Sequence, residues 1–115
     1  MNSLGVIGGL GPMATAYLLE LITDMTDART DQEHLDAIIF NRPSVPDRTA
    51  YILDHTKPSP VPPMIDIAQK LEALGVCALA TPCVTAHSFH DELQSSVHIP
   101  FIHMAVSYTH LTLPT

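Results

Sequence analysis

Apolar residues fall into short runs separated by amphipathic stretches along most of the chain. Residues 3–8, SLGVIG, are an apolar run closed by glycine, the pattern of a buried strand. From Met13 to about Asp27, the residues Ala16, Leu18, Leu19, Ile22 and Met25 recur at helical spacing. Residues 36–40, DAIIF, predict a second buried strand, and NRPSVPDR (41–48), with two prolines, predicts the loop that leaves it. A short helix is expected from Asp47 or Thr49 to about Asp54, then a loop over HTKPSPVPP. The next helix carries Met64, Ile65, Ala68, Leu71 and Leu74 on one face and stops at Gly75. VCALA (76–80) predicts a third strand, TAHSFHDELQSSV (85–97) a further helix, and IPFIHM (99–104) a fourth strand.

Strands alternating with helices predict an α/β fold, a parallel sheet of about four strands with helices on both faces. Such sheets bind ligands beyond the carboxyl ends of their strands. Three loops fall there: GGLGP, NRPSVPDR and TPCVTAH. The domain is expected to span residues 1–105. Residues 106–115, VSYTHLTLPT, show no matching period and are similar to a peptide encoded by sequencing-adapter DNA. They predict a non-native tail, with the natural protein continuing past about Ala105.

Composition narrows the classes. A chain of 115 residues is one domain, and 46% apolar residues suffice for a core. A net charge of −7 argues against nucleic acid or an anionic membrane surface as partner. No stretch has the about 18 uninterrupted apolar residues of a membrane span, and MNSLGVIGG lacks the basic start of a secretory signal. Two cysteines, Cys77 and Cys83, are too few for a disulfide framework and point to the reducing cytoplasm.

Each loop carries candidate chemistry. Gly9-Leu10-Gly11-Pro12-Met13-Ala14 fits the outline of the dinucleotide fingerprint, yet the second strand ends in Phe40-Asn41 rather than in an acidic residue. The loop also suits a small carboxylate at a helix start, or serves simply as a tight turn. Arg48 is suited to clamp a carboxylate bidentately; the plainer alternative is a solvated arginine pairing with Asp47 or Asp54. Cys83 lies after the third strand and just before a helix, where N–H groups stabilise a thiolate. Thr85 is placed to cap that helix or to meet a ligand. Cys77 reads as a small hydrophobe inside its strand. His87 and His90 read as exposed helix residues, with no metal or cofactor expected.

GVIGGLGPMAT, DQEHLDAIIFNRPSVPDRTAYIL and TPCVTAHSFHDELQSSVHIPFIHM together resemble the aspartate/glutamate racemases, amino-acid racemases that work without pyridoxal phosphate. The resemblance covers about residues 4–104. It implies one domain of a two-domain, pseudo-symmetric fold, each domain giving one catalytic cysteine to a shared cleft. It implies Cys83 as acid/base, Arg48 on the substrate carboxylate, and Gly9, Leu10, Gly11, Val84 and Thr85 against the substrate. The substrate implied is a small, dicarboxylic amino acid, and the full-length parent a cytoplasmic homodimer. Two features depart from the family pattern. Pro82-Cys83-Val84-Thr85 stands where the family has P-C-N-T, so an asparagine able to bond the substrate is replaced by Val84. The partner cysteine is absent, and the fragment alone is expected to be inactive.

Overall fold

The computed structural model describes residues 3–83 and 85–102. Val84, the end of the expected fourth strand (103–104) and the expected tail (106–115) lie outside the described residues.

Three parallel strands form the sheet, in the order β2-β1-β3: β1 Ser3–Gly8, β2 Asp36–Asn41 and β3 Ala78–Ala80. β1 is central and buried along its whole length, because it pairs on both sides: Ser3 opposite Asp36, Leu4 opposite both Ala37 and Ala78. β2 was expected to be buried but is only half-buried, since it forms the edge of the described sheet. Beyond β3 a fourth segment begins. Leu79 donates to the Pro100 carbonyl at 2.9 Å, and Ile102 donates to the Leu79 carbonyl at 2.8 Å. Gln94 holds that segment in place, donating to the Ile99 carbonyl at 2.9 Å and accepting from the Phe101 amide at 2.7 Å.

Alternation along β1 divides the core. Leu4 and Val6 face helix α1 (Pro12–Met25), where they meet Leu18 and Ile22. Gly5 and Ile7 face helix α3 (Val61–Ala73) and helix α4 (His90–Ser95). A Cβ on Gly5 would lie 2.9 Å from the side chains of Leu79 and Val76 and 3.3 Å from Leu71 Cβ on α3, so glycine lets α3 and the segment after it approach β1 closely. The expected helices on both faces are therefore present.

Several local expectations change. The buried stripe of α3 is Met64, Ile67, Ala68 and Leu71, at i, i+3, i+4 and i+7 spacing. Leu74 is the C-cap and 59% exposed, because the chain turns away at Gly75 with φ +95°. The α3 helix also begins earlier than expected: Val61, Pro62 and Pro63 form its first turn, where prolines need no N–H partner. On α1 the inward residues are Thr15, Leu18 and Ile22, while Ala16, Leu19 and Met25 are exposed. The expected single helix over 85–97 is a 3-10 segment, Thr85–Phe89, followed by the short α4. Its tighter winding buries Ala86, His87 and Phe89, so His87 is buried rather than exposed. His90 is half-buried, edge-on to the Phe101 ring at 5.6 Å. Cys77 is exposed: Val76 takes the inward phase against Gly5, and Cys77 takes the outward one just ahead of β3. Among the described residues no helix is long and apolar enough to cross a membrane.

Candidate active site

All three strands are parallel, so their carboxyl ends meet at one edge, where they present Gly9, Arg42 and Thr81. Hydrogen bonds knit that edge. Arg42 donates its amide to the Gly8 carbonyl at 2.9 Å, and the Thr81 hydroxyl donates to the Ile7 carbonyl at 2.8 Å. The three loops that leave the strands are thereby fixed against one another. Leu10, Val45 and Cys83, one from each loop, pack into the same apolar cluster.

The glycine loop is tightly built. Gly9 has φ +94°, a backbone state that side chains resist, and its amide donates to Thr15 Oγ1 at 2.9 Å. Gly9 and Leu10 are buried, and the Leu10 side chain belongs to the core. Gly11 is half-buried and caps α1, with Pro12 as the first helical residue. Of Gly9, Leu10 and Gly11, Gly11 alone reaches the surface.

Arg48 begins helix α2 (Arg48–Leu53). Asp47 caps this helix, its Oδ1 accepting from the Thr49 amide at 3.0 Å and the Ala50 amide at 3.3 Å. The Arg48 guanidinium folds back over the loop, Nη1 donating to the Pro46 carbonyl at 3.3 Å and the Val45 carbonyl at 3.4 Å. Its Nε is buried and has no hydrogen-bond partner among the described residues. Among the described residues Arg48 makes no ion pair; neither Asp47 nor Asp54 takes that place. The other arginine near the edge, Arg42, pairs at the surface with Asp66 at 3.8 Å, a contact of small energetic weight.

Asp54 instead closes the far end of α2. It accepts the Thr56 hydroxyl at 2.7 Å and the Thr56 amide at 3.0 Å. These bonds, the hydroxyl first, hold its carboxyl below the ordinary carboxylate range. A lowered pKa in the folded chain means that this turn is fully formed above the ordinary aspartate range and released as pH falls through the lowered value. The Thr56 amide resonance should accordingly titrate below pH 3.8 and shift together with Asp54. An Asp54→Asn variant should abolish that titration.

Cys83 lies three residues beyond β3, buried at 8% exposure, and its thiol donates to Thr85 Oγ1 at 3.7 Å. Were the thiol ionised, the same hydroxyl would turn to donate. Thr85, half-buried, starts the 3-10 segment. Cys77 sits at the opposite end of the sheet, its amide and sulfur on the Ser3 carbonyl at 2.9 and 3.1 Å. Both cysteines are free. Among the described residues no three His, Cys, Asp or Glu side chains converge as metal ligands.

An open groove of about 530 Å³ lies beside α2, between Tyr51, His55, Val61, Phe89 and Glu92. It includes neither Cys83 nor Arg48. Two residues of the edge escape sequence reading, Thr15 and Thr81. Thr15 had one signal: it is a polar residue on the apolar stripe of α1, directly after a glycine loop.

Comparison with known proteins fits this geometry. Residues 7–112 match the family model of Asp/Glu/hydantoin racemases. The chain is 30% identical over 105 residues to the broad specificity amino-acid racemase RacX of Bacillus subtilis, covering 88% of this chain and 45% of that one. Among solved structures it is similar to the aspartate racemase of Picrophilus torridus (TM-score 0.81, 34% identity, 90% of this chain and 44% of that one). An aspartate racemase homologue from Pyrococcus horikoshii shares the fold (TM-score 0.77, 20% identity, 96% of this chain and 48% of that one). The chain spans about half the length of the relatives it matches. A parallel α/β domain of this topology, matched by the family model over nearly its whole length, belongs to the Asp/Glu/hydantoin racemase family.

Proposed function

We propose that this chain provides one half of the active site of a cofactor-independent amino-acid racemase acting on a dicarboxylic substrate of the aspartate or glutamate type. Cys83 serves as the acid/base on one face of the substrate. Arg48, Thr85 and the glycine loop through Gly11 bind it, with Val84 beside the thiol. The observation that carries the reading is a guanidinium at the ligand end of the sheet that no carboxylate of the described chain neutralises. An anionic ligand completes it.

Racemisation sets a further demand. The α-proton of an amino acid is very weakly acidic, so its removal needs a close base and stabilisation of the developing negative charge. The intermediate is flat, and inversion requires a proton delivered to the other face. Cys83 can serve one face only. The opposing group comes, in this reading, from a second, cysteine-bearing half of the protein, which functions as a homodimer in the cytoplasm. In this reading the domain ends near residue 105, and residues 106–115 are a non-native tail.

The test is α-deuterium exchange in D₂O, followed by NMR, with aspartate, glutamate and their enantiomers. A protein containing both halves should exchange at least one of these, and this chain alone should not. Carboxylate binding without exchange in the two-half protein would assign a binding module and overturn the racemase reading.

A further inference from the structure

Alternate residues of a strand in a parallel sheet bond to alternate neighbours. In β1, Gly8 takes the Arg42 amide on the β2 side, so Ile7 turns its backbone toward β3. In β3, Leu79 gives its amide and carbonyl to the fourth segment, which leaves Ala78 and Ala80 to bond β1. With Val6 opposite Ala80, the next amide due on β1 is that of residue 82, on the Ile7 carbonyl. Residue 82 is proline and has no N–H. Ile7 is 0% exposed, so bulk water does not reach it, and an unmet carbonyl there is unfavourable. The Thr81 hydroxyl takes the place of the missing amide, donating to that carbonyl at 2.8 Å. Thr81 is itself wholly buried, where a hydroxyl needs such a partner.

This bond sits where the strand hands over to the cysteine. The proline ring fixes φ of Pro82 near about −65°, and the residue before a proline is confined to extended ψ. From the Thr81 Cα to the Cys83 Cα, the backbone therefore has one free torsion, ψ of Pro82. Fixing Thr81 on β1 thus fixes the root of the Cys83 side chain. The thiol lies beyond it, on Thr85 Oγ1 at 3.7 Å, in the same apolar cluster as Ile7. Apolar packing is non-directional and admits several poses of the loop; the Thr81 bond selects one.

We propose that Thr81 is a positioning residue for Cys83: its hydroxyl, on the Ile7 carbonyl in place of the amide that Pro82 lacks, sets the distance and direction from which the thiol meets the substrate. This rests on the reading of Cys83 as acid/base given above. Thr81 is wholly buried and does not itself touch the substrate.

The test pairs Thr81→Val, which keeps the shape and removes the hydroxyl, with Thr81→Ser, which keeps the hydroxyl. In this chain, with Cys77→Ser leaving one thiol, alkylation of Cys83 by iodoacetamide reports how often the loop opens. Thr81→Val should raise that rate about tenfold, the range of one lost buried hydrogen bond, and Thr81→Ser should stay within about threefold. Ile22→Val, a core change of similar cost on the other face of β1, should leave the rate unchanged. In a protein containing both halves, Thr81→Val should lower kcat for α-deuterium exchange by about 10–100-fold with KM within about threefold, because a misplaced base slows chemistry rather than binding. Thr81→Ser should recover kcat to within about threefold. Thr81→Ala replaces the valine variant if the latter does not fold. An unchanged kcat in Thr81→Val, a Thr81→Ser as slow as Thr81→Val, or an equal rise in alkylation from Ile22→Val overturns the proposal. If exchange survives Cys83→Ser, the acid/base reading falls and takes this proposal with it. Exchange that needs Cys83 but ignores Thr81→Val sinks this proposal alone.

Discussion

Replacing Cys83 by serine should lower α-proton exchange by about 10²–10⁴-fold in a protein containing both halves, the range expected for loss of a positioned acid/base. Substrate binding should change little, because serine is nearly isosteric and the proposed carboxylate contacts lie on Arg48 and the glycine loop. The chemical difference is large: a serine hydroxyl is a far weaker source of anion at neutral pH than a thiol. Cys77→Ser is the internal control. Its sulfur lies beside Ser3, at the amino end of the sheet, so exchange should be unaffected. Isotope exchange and binding measured on both variants separate the roles. Full activity in Cys83→Ser would remove the thiol from the mechanism.

Gly9→Ala should be the most damaging single methyl in the chain. The residue sits at φ +94°, where an L side chain costs about 1–2 kcal/mol. Its Cβ would lie 2.5 Å from the Arg42 carbonyl carbon and 2.6 Å from the nitrogens of Arg42 and Pro43. These are backbone atoms, held by the Arg42 amide on Gly8 and unable to swing aside. Overpacking of that kind costs a further 1–3 kcal/mol or so. The sum, about 2–5 kcal/mol, is a large share of the roughly 5–15 kcal/mol that holds a domain folded. Gly11→Ala supplies the contrast, with φ −97° and open space around its Cβ; its effect should stay within about 0.5 kcal/mol. Urea midpoints for the two variants decide it, and equal midpoints would contradict the close approach of the two loops.

Strand and helix order were legible because each element carries its own period. SLGVIG could be placed to the residue, since a central strand is apolar on both faces and a glycine pair ends it. The short β3 was less legible. Val76 and Cys77 look like strand, yet the ladder named there covers only Ala78–Ala80, and exposure at Cys77 depends on which phase Val76 takes against Gly5. The 3-10 winding of Thr85–Phe89 left no mark in the spacing, because apolar residues at i and i+3 fit either helix. Cys83 and Arg48 are proposed for the site on their chemistry and their places in the chain. Thr15 and Thr81 were not, since a threonine that bonds backbone looks in sequence like any other threonine. Which loop amides remain available likewise depended on partners that only the folded chain reveals.

β1 pairs with β2 on one side and β3 on the other, and the second pairing has a consequence for biosynthesis. Thr81 and Ile7, whose bond joins the cysteine loop to the strand leading into the glycine loop, are 74 residues apart. At roughly 5–20 residues per second, a ribosome takes about 4–15 s to make that interval. Throughout it, one edge of the buried central strand has no permanent neighbour, while β2 can cover the other once residues 36–41 are made. A nascent chain in this state exposes a template for mispairing, and slow codons between β2 and β3 would prolong it. The glycine loop and the cysteine loop are thus made at opposite ends of this interval, so the contact between them should be among the last parts of the domain to form.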